Sequence, residues 1–130
     1  MNIWENFNFK VRTGVSAYDL LVAQNNNFVA KTGGLLSIEV ESINSSDNTH
    51  LIYKLYIVAN TLGCYRKCIL DVNETDRINY FPVDISSSLT DKSIYCVTEM
   101  DFLNELENML TTSIIKRMIE NLYRQAYDNI

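Results

Sequence analysis

His50-Leu51-Ile52-Tyr53-Lys54-Leu55-Tyr56-Ile57-Val58-Ala59-Asn60, then Thr61-Leu62-Gly63, then Cys64-Tyr65-Arg66-Lys67-Cys68-Ile69-Leu70-Asp71-Val72 is the stretch that decides the fold. Its first segment is apolar on both faces and rich in β-branched and aromatic residues, the composition of a central strand. Thr61-Leu62-Gly63 makes a tight connection, from which the chain runs back antiparallel. With Thr61-Leu62 as a two-residue turn, Asn60 faces Gly63 and the register follows. Leu55 then opposes Cys68 and Tyr53 opposes Leu70 on a core face. Val58 opposes Tyr65, Tyr56 opposes Lys67 and Lys54 opposes Ile69 on the other.

The pattern extends in both directions. Upstream, Leu36, Ile38 and Val40 alternate with Ser37, Glu39 and Glu41, so one face is buried and the other meets water. The polar run from Asn44 to Thr49 is a turn. Downstream, after a loop from Asn73 to Asn79, Phe81, Val83 and Ile85 alternate again. Pro82 cannot donate a ladder hydrogen bond, which places this strand at an edge or a bulge. Ile94 to Val97 adds a possible fifth strand.

Both ends switch to helical spacing. Ser16 with Asp19 approximates a capping box, and Tyr18, Leu21, Val22, Phe28 and Val29 fall on one face. Asn25-Asn26-Asn27 is a point where that helix could end, and Gly33-Gly34 is its firmest stop. Before it, Phe7, Phe9 and Val11 alternate as a short strand or extended arm. At the other end Thr98 caps a helix striped by Phe102, Leu103, Leu106, Met109 and Leu110. Thr111-Thr112-Ser113 is a break or a new cap, after which Ile115, Met118, Ile119, Leu122 and Tyr123 continue. Acidic residues gather early in this C-terminal third and Lys116, Arg117 and Arg124 late, as a helix dipole favours. The fold class is α+β: one domain over residues 1–130. It is an antiparallel meander of four to five strands, preceded by one helix and followed by one or two C-terminal helices on one face.

Composition narrows the function classes. The chain has 130 residues, 47% hydrophobic and 21% charged, as an ordinary globular domain has. Clean apolar runs reach only the length of Leu55 to Ala59, against the ~20 residues of a spanning helix. The first residues lack a basic start followed by an apolar stretch, so no secretory signal is expected. Three cysteines do not suit a disulfide framework and fit a reducing cytoplasm. A net charge of −5 with thinly spread basic residues argues against nucleic acid as a partner.

Motifs with chemistry are few. Cys64 and Cys68 are four apart, which on a strand spans ~13 Å, too far for two ligands of one zinc ion. His50, the single histidine, pairs with no recognisable cysteine turn. Glu39 and Glu41 share one strand face and Asp71 and Asp84 sit on neighbouring strands; Glu39, Glu41 and Asp71 with a lysine such as Lys54 or Lys67 are what a small metal-dependent hydrolase gathers for Mg²⁺. Alternating acids are equally what a solvent-facing strand shows. Gly33-Gly34 lacks the flanking residues of a phosphate loop. No catalytic, cofactor or metal residues are assigned on these grounds. The richest feature is the hairpin's second face, where Lys54, Tyr56, Tyr65 and Lys67 combine tyrosine with cations, a composition of interface hot spots.

Tyr53-Lys54-Leu55-Tyr56-Ile57-Val58-Ala59, Cys64-Tyr65-Arg66 and Tyr80-Phe81-Pro82-Val83 resemble a family of small uncharacterised bacterial proteins. Their shared pattern is a tyrosine-rich hairpin followed by an aromatic-Pro-Val strand. The resemblance covers about residues 50–85, and Asn60 stands where a proline commonly follows the hairpin's alanine. It implies a bacterial, cytoplasmic protein and carries no activity and no site residue. The expectation is therefore a non-enzymatic interaction or accessory module that binds a protein partner or itself, with neither nucleic acid nor membrane. A metal-dependent hydrolase is the alternative.

Overall fold

Ser16 begins the first helix as anticipated. Its hydroxyl accepts from the Asp19 amide at 3.1 Å, and the Asp19 carboxylate accepts from the Ser16 amide at 3.2 Å. The computed structural model describes Glu5 and residues 15–75 and 79–130. Helix α1 spans Ala17–Lys31, passing through the asparagine run instead of stopping there. Asn25 makes a contact outside the helix: its Oδ1 accepts from the Ile38 amide at 2.8 Å. Ala17 and Leu21 are the buried residues of α1, with Tyr18 and Phe28 partly buried, whereas Val22 is exposed. The chain leaves the helix through Gly33 and Gly34, both at positive φ, which glycine adopts without a Cβ clash. The proposed strand or arm from Phe7 to Val11 lies outside the described residues.

Five strands follow: β1 (Leu36–Asn44), β2 (Leu51–Ala59), β3 (Tyr65–Glu74), β4 (Val83–Ser87) and β5 (Lys92–Cys96). They pair antiparallel in chain order, a meander in which each strand neighbours the next. β4 lies between β3 and β5, so it is neither an edge strand nor bulged. Pro82 immediately precedes it, where no ladder hydrogen bond is required.

The helices cover one face. α1 lies against β1, α2 (Glu99–Leu110) against β4 and β5, and α3 (Ser113–Asp128) over β2. Between them and the sheet sits the core: Leu55, Ile57, Leu70, Val72, Val83 and Ile85 from the strands meet Phe102, Leu106 and Met109 of α2 and Ile115, Leu122 and Ala126 of α3. Thr98 caps α2 by accepting from the Asp101 amide at 3.2 Å. The C-terminal third is two helices, which revises the dipole reading. Lys116 and Arg117 fall near the N-terminal end of α3, the end that disfavours cations, and its last turn holds no basic residue.

The β2–β3 hairpin departs from the expected register. Residues 60–64 all lie in the connection, with Gly63 and Cys64 at positive φ, and Ala59 pairs Tyr65. Near the turn Tyr56 therefore opposes Cys68 and Val58 opposes Arg66, one residue away from the two-residue-turn register. A bulge at Ile69 adds a second shift, so that Leu55 opposes Leu70 and Lys54 opposes Asp71. The bulge buries Ile69 with Leu70 and leaves the Ile69 carbonyl to accept from Ser87 Oγ at 2.6 Å.

Candidate functional site

The register shift divides the four hairpin residues expected to share a face. Because successive side chains alternate, moving β3 by one residue turns Tyr65 and Lys67 to the helix side. Tyr65 pairs Ala59 and Lys67 pairs Ile57, both β2 partners belonging to the core. Lys54 and Tyr56 stay on the face away from the helices, beside Arg66, Cys68 and Asp71.

That away-facing surface satisfies its charges internally. The Arg66 guanidinium stands 3.9 Å from the Tyr56 ring centroid. It also reaches Glu39 at 3.3 Å and Glu41 at 3.5 Å across β2. Lys54 Nζ donates to Asp71 at 3.2 Å, a contact that raises the lysine's pKa. Cys68 Sγ lies 3.6 Å from Asp71 Oδ1; burial first, and then the Asp71 charge, push its thiol pKa up. The three carboxylates of the hydrolase reading thus share a face without converging. β2 separates Glu41 from Asp71 by about two strand spacings, ~9.6 Å, and each acid already faces a protein cation. Among the described residues no group of three His, Cys, Asp or Glu side chains could hold a metal ion. His50 and Cys64 stand at opposite ends of β2, about 30 Å apart for nine residues.

The helix side is different. α3 lies over β2 and α2 over β4 and β5, and among the described residues the start of β3 is left accessible, with Tyr65 exposed. There a groove of about 510 Å³ opens. Leu62, Met118 and Leu122 supply apolar lining, Tyr65 and Ile114 stand on its sides, and Lys67, Arg117, Asn121 and Gln125 supply its polar groups. Tyr65 is 50% and Ile114 55% exposed. The Thr61 hydroxyl donates to the Ala126 carbonyl at 2.7 Å and ties the hairpin connection to α3. Among the described residues, no carboxylate lies within 4 Å of Lys67 or Arg117, in contrast to Lys54 and Arg66.

No protein-family model, curated protein or solved structure matches this chain.

The site is therefore read from its chemistry. A half-buried apolar trough with two cations can hold an apolar side chain and neutralise an anion beside it. Sequence reasoning reached Tyr65 and Lys67 but missed the α3 side. Its signal was present: Ile114, Arg117, Met118, Asn121 and Gln125 recur at helical spacing one position out of step with the buried Ile115, Leu122 and Ala126. α3 thus carries a second, partly apolar stripe beside its core stripe.

Proposed function

We propose that this chain is a non-enzymatic protein-interaction module, an accessory part of a bacterial cytoplasmic system, which receives its partner in the groove between α3 and the start of β3. One observation carries the reading: the groove combines an apolar lining with Lys67 and Arg117, neither of which is paired with a carboxylate among the described residues. Lys54 and Tyr56 belong to a surface whose charges already answer one another, so a partner there would have to displace existing ion pairs. The odd count of three cysteines, which does not suit a disulfide framework, favours a reducing compartment. No helix among the described residues is long and apolar enough to cross a membrane.

The test compares the wild type with Tyr65→Ala/Lys67→Ala and Lys54→Ala/Tyr56→Ala, each checked for an unchanged melting temperature. Proteins captured from lysate are identified, purified and titrated back. The groove variant should weaken the dissociation constant of the recovered partner by ten-fold or more, about 1.4 kcal/mol, and the other variant should leave it within about two-fold. Equal affinity for all three proteins would overturn the assignment of the working surface.

A further inference from the structure

We infer that the groove between α3 and the start of β3 takes an acidic amphipathic segment of a partner protein. One or two aliphatic side chains would seat on Leu62, Met118 and Leu122, and carboxylates would meet Lys67 and Arg117. This deepens the reading of the groove as a docking surface and rests on it.

Charge is the first argument. The chain carries 16 acidic and 11 basic residues, yet among the described residues the groove is lined by two cations and no acid. On the opposite face Lys54 and Arg66 are each matched by carboxylates of this same chain. Lys67 and Arg117 lack such a match among the described residues. A cation on the rim of an apolar trough steers an anionic partner and fixes its register.

Size and shape are the second. About 510 Å³ falls within the ~300–1,000 Å³ usual for sites that engulf a small group. It suits a few side chains of a docked segment and is too small for a folded protrusion. Apolar residues of α3 at helical spacing beside an uncovered strand form the kind of trough in which one amphipathic segment lays its apolar face. The requirement on the partner is therefore specific: apolar side chains on one face, flanked by Asp or Glu.

Isotope-labelled full chain is titrated with an end-blocked peptide, Glu-Leu-Asp-Glu-Leu-Leu-Asp-Glu, with its Gln/Asn isostere, with a version carrying Lys at the acidic positions, and with laurate. The acidic peptide should move the signals of Ile114, Met118 and Leu122. The isostere should bind at least ten-fold more weakly, and Lys67→Glu/Arg117→Glu should reverse the preference in favour of the Lys peptide. Both cations lie at the surface of the groove; if the reversed variant fails to fold, Lys67→Gln/Arg117→Gln should still lose the ten-fold preference. Isostere and acidic peptide binding equally at the groove would overturn the acidic chemistry while leaving the docking surface intact. No movement of groove signals with any peptide would overturn both readings. Tighter binding of laurate would replace a protein segment with a small carboxylate. Groove signals that shift with protein concentration alone would identify a second copy of the chain as the occupant.

Discussion

Asp47 shows how one side chain fixes a turn whose position was readable and whose mechanism was not. It accepts from Thr49 Oγ1 and Ser45 Oγ, each at 2.7 Å, and from the Thr49 amide at 3.1 Å. These hydrogen bonds, the Thr49 side chain's foremost, lower its pKa from 3.8 to about 2. A carboxylate whose folded pKa lies below its unfolded value stabilises the fold above the unfolded pKa and loses that contribution as pH falls through the folded one. Asp47→Asn should therefore have a lower melting temperature than the wild type at neutral pH. The gap should close between pH 3.8 and about 2; a gap independent of pH would remove the charge from the explanation. At this scale Ser16, Asp19, Thr98 and Asp101 were legible because caps are local. Asn25 was not, because its partner, the Ile38 amide, is contributed by another element.

At the scale of elements, alternation in Leu36–Val40 and helical spacing after Thr98 were enough to place the strands and helices, and they did so without tertiary information. The hairpin register was harder. Cys64 takes a left-handed conformation that its residue type does not advertise. The bulge at Ile69 left only the Ile69-Leu70 apolar doublet as a trace. One residue of shift moved Tyr65 and Lys67 across the sheet, so two of the four residues expected to share a face stand on the other one. The same register gives Arg66 its role between Glu39 and Glu41. Arg66→Glu would set three acids together across β1 and β3, and should cost about 1 kcal/mol or somewhat more. Part of that loss should return in high salt, read from denaturant melts; a loss insensitive to salt would point to the missing stacking on Tyr56 instead.

At the scale of the whole molecule, the described residues form a sheet with helices on one face, and Phe102 is where α2 closes onto it. Fully buried and 6.1 Å from the Phe81 ring, it joins the last helix pair to the segment before β4. Phe102→Ala should destabilise the fold by about 3–5 kcal/mol in chemical denaturation. A change under 1 kcal/mol would mean that α2 does not contribute to the cooperative unit. The groove belongs to this scale as well: among the described residues three helices do not tile five strands completely, a property of the assembled layers that no single segment encodes. The contact between Asn25 and Ile38 acquires a further meaning here. β1, nine residues long, ends the sheet among the described strands. An exposed outer strand with idle amides is a template for runaway chain-to-chain pairing. By engaging the Ile38 amide of this outermost described strand with a side chain from its own helix, the molecule fastens that margin of the sheet to the last turns of α1, so that fraying of the helix would release this backbone donor.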